Sequence, residues 1–185
     1  MPPSAIKTIR DTIYWQYAKL MSKSAGLNIY QSRGFQMKKF KELQSGEIQW
    51  SSTIREWLRE HEKPNECIYC GSKENLSTEH ILPKSWGGPD IPDNVVKVCR
   101  TCNSKKGAKK LYEYFGYDNR DKIPRIAEGK YLKLLFRLHE ERGTLDISED
   151  ELKGKLCPNC EMGKLCIKDY KPGKISVYCV EGGKW

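Results

Sequence analysis

No stretch of the chain approaches the roughly 18 consecutive apolar residues a membrane helix needs, so no membrane span or membrane partner is expected. The N-terminus, MPPSAIKTIRDTIYW, lacks both a continuous apolar run and a small-residue cleavage site, and so does not read as a signal peptide. An intracellular, cytoplasmic location is the resulting expectation. Apolar residues are few, at 38% with a mean hydropathy of −0.72, and the core is accordingly modest for 185 residues. Small modules with little core need staples, and eight cysteines are present to supply them. In a reducing compartment, paired cysteines hold metal more often than they form disulfides. There is no low-complexity tract, and no internal repeat beyond recurring Cys-x-x-Cys pairs.

Acids are missing from two places. Residues 97 to 110 carry Lys97, Arg100, Lys105, Lys106, Lys109 and Lys110 with no acid among them. Residues 1 to 46 carry eight basic residues against Asp11 and Glu42 alone. With a net charge of +9, such patches suit phosphate backbones, although a solvated lysine-rich surface accounts for either one taken singly.

Apolar residues at Ile6, Ile9, Ile13, Tyr17 and Leu20 predict an amphipathic helix over 5–24 that Gly26 stops. A second short helix is expected over 35–44. Thr53 and Glu56 fit a capping box opening TIREWLREHE, and a long helix is expected in IPRIAEGKYLKLLFRLHEERG, with Gly143 as its stop. His61 and His139 lie on the apolar sides of these helices and read as packed residues. Ser148 and Glu151 form a second capping box in an acidic linker, DISEDELKGK. The mixed aromatic and basic stretch IYWQYAKLMSK suits core packing better than contact with nucleic acid.

Cys67-x-x-Cys70 and Cys99-x-x-Cys102 form two knuckle-like pairs separated by 28 residues. Four thiolates from two such turns complete a tetrahedral zinc site with no open position, so this zinc is read as structural, with disulfides or unpaired thiols as the alternative. Cys157, Cys160, Cys166 and Cys179 resemble a zinc ribbon, a knuckle followed by a β-hairpin in KISVYCV, but the closing pair is incomplete and the ligand set stays open. The alternative there is a hairpin carrying free thiols.

Between and just beyond the first pairs runs EHILPKSWGGPDIPDNVVKVCRTCNSKKG. This segment resembles the HNH endonuclease family: an acid-His, Ile-x-Pro, a Gly-Gly loop, an Asn, Cys-x-x-Cys-Asn, and a Lys three further on. The match covers about residues 67 to 107, closest to a variant with Asn in the last position. The resemblance implies a ββα-metal core, with Glu79 and His80 on the first strand and Asn103 on the helix. It implies His80 as general base, for which a reference pKa near 6.5 is suited. Glu79 and the Asn103 carbonyl would hold one Mg²⁺ or Mn²⁺ ion, a hard cation that favours oxygen ligands. Asn94 would brace the loop and orient His80, while Lys105, Lys106, Lys109 and Lys110 would contact phosphates.

The expectation is therefore an α+β protein: a basic helical segment (1–63), a ββα-metal HNH core with a four-cysteine structural zinc (64–112), a helical extension and linker (113–150), and a small zinc-ribbon-like module (151–185). Its expected activity is metal-dependent cleavage of DNA, in a restriction, defence or mobile-element role, with duplex DNA as partner. RNA as substrate and a homodimer are left open. The rival is a non-catalytic zinc module that binds DNA or RNA, using the cysteines and lysines without Glu79, His80 or Asn103.

Overall fold

The structure is a computed structural model that describes residues 4–27, 29–49, 65–156 and 176–182, with backbone alone at 29–31, 117, 155, 156 and 182. The chain divides into two units, residues 50–135 and the pairing of residues 1–49 with 136–185. Among the described residues no helix is long and apolar enough to cross a membrane.

In the discontinuous unit, helix α1 (Ile9–Ser24) opens where Thr8 caps it, its hydroxyl accepting from the Asp11 N–H at 3.1 Å. An acid in the first turn also suits the positive end of the helix dipole. Gly26, at φ +68°, takes the left-handed conformation that ends the helix. Helix α2 (Ile29–Gln44) is longer than the expected 35–44 segment. Trp15 meets Phe40 edge-on at 6.0 Å between ring centres, in a cluster with Ile6 and Ala18. The aromatic residues of IYWQYAKLMSK are thus largely core: Trp15 and Tyr17 are buried and Tyr14 stacks on Phe136.

Helix α5 (Arg125–Glu141) is the expected long helix, with Leu132, Leu135, Phe136 and His139 all buried. Its end connects to Gly143 at φ +65°. The acidic segment after it is a helix rather than a linker, α6 (Glu149–Leu156), and Ser148 Oγ accepts from the Glu151 N–H at 3.3 Å, as a capping residue should. The Thr8–Ser148 bridge and a two-pronged ion pair from Arg10 to Asp146, at 2.9 and 3.0 Å, tie this segment to the start of α1.

The expected strand around Cys179 is corrected: Val177–Gly182 is a short helix, α7. Val177 and Val180, three residues apart, are both buried, so one helical face satisfies the same apolar residues that suggested alternation. Cys157, Cys160 and Cys166 lie outside the described residues, as do the TIREWLREHE helix and His61.

The continuous unit holds β1 (Leu76–His80) and β2 (Val95–Cys99), paired antiparallel with Leu76 opposite Cys99 and His80 opposite Val95. Helix α3 (Arg100–Lys106) follows directly, so the motif is ββα, as expected. The connection between the strands contains 3-10 turns at Lys84–Trp86 and Pro92–Asn94. Helix α4 (Leu111–Phe115) and a 3-10 stretch over Tyr117–Lys122 lead into α5, where Tyr112 donates to the Glu128 carboxylate at 3.0 Å and meets Tyr131 edge-on.

His139 is fully buried, with Nδ1 at 2.7 Å from Thr144 Oγ1. Burial, helped by nearby Arg142, pushes its pKa down from 6.5 to about 4. The native state therefore holds the ring neutral where the unfolded chain would protonate it. The stabilisation is complete above pH 6.5 and is lost as pH falls toward about 4. Thermal melts across that window should fall more steeply for the wild type than for His139→Asn.

Candidate active site

The two cysteine pairs converge. Sγ atoms of Cys67, Cys70, Cys99 and Cys102 all lie within 4.8 Å of one another, with Cys70 and Cys99 at 3.7 Å. A tetrahedron with bonds of about 2.3 Å has edges near 3.8 Å, so the four thiols are positioned to bind a metal ion, and an all-sulfur set suits zinc. Local structure builds this cluster. Gly71, at φ +76°, closes the first turn by donating its N–H to the Cys67 carbonyl at 2.8 Å. Ile68 N–H bonds the Lys97 carbonyl at 3.0 Å, fastening the turn to β2. At the second pair, Cys99 precedes α3 and its sulfur accepts from the Cys102 N–H at 3.4 Å. That contact lowers the Cys99 thiol to about 7, while burial pushes Cys102 up to about 12. A bound cation would favour the thiolate at all four positions.

Neighbouring residues of a strand point to opposite sides, and Glu79 and His80 follow that rule. Glu79 is buried, opposite Val96, while His80 is half-buried at the strand end. One Glu79 oxygen accepts from the Tyr69 hydroxyl at 2.8 Å. The other forms an ion pair with the Lys106 ammonium, which directs its hydrogen bond to the His80 carbonyl at 3.1 Å. Burial and the Glu79 charge raise the Tyr69 pKa, so the phenol stays a donor. Tyr69 lies inside the first knuckle and had no sequence signal. Only the convergence of the knuckle and β1 shows its role.

Three expectations need correction. Glu79 does not present open oxygens to an ion, because Tyr69 and Lys106 engage both. Lys106 is not a phosphate contact, being 1% exposed and spent on that internal charge. Lys110 is buried too, with its ammonium 3.4 Å from the centre of the Trp86 ring. Lys105 and Lys109 are exposed. The physical reason is common: a buried carboxylate and an aromatic face recruit the nearest cations more strongly than water competes for them.

Asn103 sits on α3, as expected, and its amide nitrogen donates to Ser77 Oγ at 3.1 Å and the Thr78 carbonyl at 3.2 Å. It thus joins helix to strand. These bonds use the Asn103 amide nitrogen and not its carbonyl oxygen, the expected ligand atom, whereas both Glu79 oxygens are engaged by Tyr69 and Lys106.

Asn94 is completely buried at the end of the Pro92–Asn94 turn rather than within β2. Its oxygen accepts from Leu82 N–H at 2.8 Å, and its amide donates to the Leu82 and Pro89 carbonyls, both at 2.9 Å. Gly88 allows this closeness, since a Cβ there would meet the Leu82 carbonyl oxygen at 1.9 Å. These bonds fasten the loop after His80 at its base.

Residues 67–114 match the family model described as HNH endonuclease. This segment is an HNH domain. The match takes in both cysteine pairs, β1, β2, α3 and Asn94, so the HNH residues are those that the ββα unit assembles. No curated protein and no solved structure matches the chain.

Two measurements check this HNH site. Lys106→Met should leave the Glu79 charge buried and unpaired, costing about 3–5 kcal/mol in chemical denaturation, with Glu79→Gln in the same chain restoring much of it. Cys99→Ser should lose one zinc per chain by elemental analysis and lose cooperative melting of the HNH domain.

Proposed function

We propose that the chain is an endonuclease that hydrolyses phosphodiester bonds of nucleic acid, with His80 as general base. The observation that carries this reading is the placement of His80: half-buried, at the end of β1, beside a loop that Asn94 locks, within an HNH domain. An imidazole that keeps a bare ring nitrogen can take a proton from water, and a loop that cannot shift keeps the ring where the reacting phosphate arrives. Lys105 and Lys109, with the exposed Arg33, Lys38 and Lys41 of α2, supply positive charge for phosphate contacts. Duplex DNA is the proposed substrate, and a restriction, defence or mobile-element role is the proposed setting.

Mg²⁺ or Mn²⁺ remains the proposed cofactor by family resemblance, but no step is assigned to it, because Glu79 is closed by Tyr69 and Lys106. The rival reading is a zinc-stapled module that binds nucleic acid without cutting it, and it has no need of His80. Supercoiled plasmid with added Mg²⁺ or Mn²⁺ separates the two. The enzyme reading expects nicking by the wild type, a loss of about 10²- to 10⁴-fold in His80→Ala, and retained binding of the same DNA by gel shift. Binding without nicking by the wild type favours the rival.

A further inference from the structure

The acid that touches His80 is not Glu79 beside it in sequence. It is Asp90, ten residues on. His80 Nε2 lies 2.8 Å from Asp90 Oδ1, and among the described residues this is the ring's one hydrogen bond. The other Asp90 oxygen accepts from Lys84 Nζ at 2.9 Å. We infer that Asp90 is the positioning residue for His80, its carboxylate fixing the ring so that Nε2 carries the hydrogen and Nδ1 is left bare. This inference rests on the nuclease reading and adds a residue to it.

The chemistry follows from what each group can do. An ionised carboxylate only accepts hydrogen bonds, so a ring nitrogen in contact with it must donate. Lys84, and then His80, hold the Asp90 carboxyl below the usual carboxylate range, so it is ionised at neutral pH. A neutral imidazole that donates from Nε2 has its lone pair at Nδ1. In the proton transfer, an O–H bond of water breaks and an Nδ1–H bond forms. The hydroxide forms a new P–O bond as the bond from phosphorus to the leaving ester oxygen breaks, that oxygen taking a proton from solvent water, and the new imidazolium keeps Nε2–H on Asp90, whose negative charge stabilises it.

The loop geometry makes the contact a built feature. Asn94 bonds the Pro89 carbonyl, immediately before Asp90, and Gly88 lies too close to Leu82 to admit any side chain. The backbone on which Asp90 is carried is thus held to the same residue that receives the end of β1. Asn94 positions the loop, and Asp90 transmits that position to the ring. The Asp90 side of the pair is exposed, its side chain 71% accessible. Its contribution to stability is therefore small, and its effect belongs to catalysis.

The test uses the full zinc-loaded chain and compares wild type, Asp90→Ala, Asp90→Glu and His80→Ala. Asp90→Ala should lower kcat for plasmid nicking by about 10- to 100-fold, the usual cost of losing an orienting partner, with KM within about twofold. Asp90→Glu should recover part of kcat, and melting temperatures should stay the same. Independently of activity, the wild type should show a downfield His80 Nε2–H proton in NMR spectra that disappears in Asp90→Ala. A wild-type ring protonated at Nδ1, or an Nε2–H signal unchanged in Asp90→Ala, overturns the inference. Full kcat in Asp90→Ala beside an inactive His80→Ala overturns it while leaving the nuclease reading intact. A wild type that cuts nothing overturns both.

Discussion

Four sulfurs drawn to within 4.8 Å of one another mark the point where the pieces of the HNH domain meet and where a metal ion would join them. With so few apolar residues, two short strands and a seven-residue helix have little core of their own, and a two-stranded hairpin alone is marginal in water. The first knuckle bonds to β2, and the second ends β2 and opens α3. A metal bound among these thiols therefore fixes strand, strand and helix at once. The same clamp delivers Tyr69 to Glu79, so the structural centre and the candidate active site share one hydrogen-bonded connection.

Charge is sorted by this scaffold in a way that composition conceals. Lys105 and Lys106 are neighbours, yet one faces solvent and the other is completely enclosed. Enclosing an ammonium is costly unless a carboxylate and a carbonyl receive it, and Glu79 with the His80 backbone does so. Glu79 thereby becomes an organising residue. It pins the helix against β1 directly below the histidine, while the acid in contact with the imidazole comes from the loop. The division explains how Glu and His can adjoin in sequence and still act on different sides of the strand.

Residue patterns reveal the helices to unequal degrees. Helices α1 and α5 carry long runs of periodic apolar residues, and both formed where that periodicity indicated. The segment at Cys179 is too short for such a decision, and packing of Val177 and Val180 made it helical. The buried state of His139 was readable from its place on the apolar side of α5; its partner Thr144, beyond the helix end, was not.

The order of residues along the chain determined the two cysteine pairs, the ββα sequence of elements and the places of Asn94 and His80, because each depends on local spacing or on a turn that few residue types allow. Tertiary structure alone decided which cations remain free, that Glu79 is enclosed, and that Asp90 reaches the imidazole. Those outcomes depend on which side chains meet across strand, helix and loop, and on the burial that makes one charge seek another. Neither distance nor burial is written in the spacing of residues.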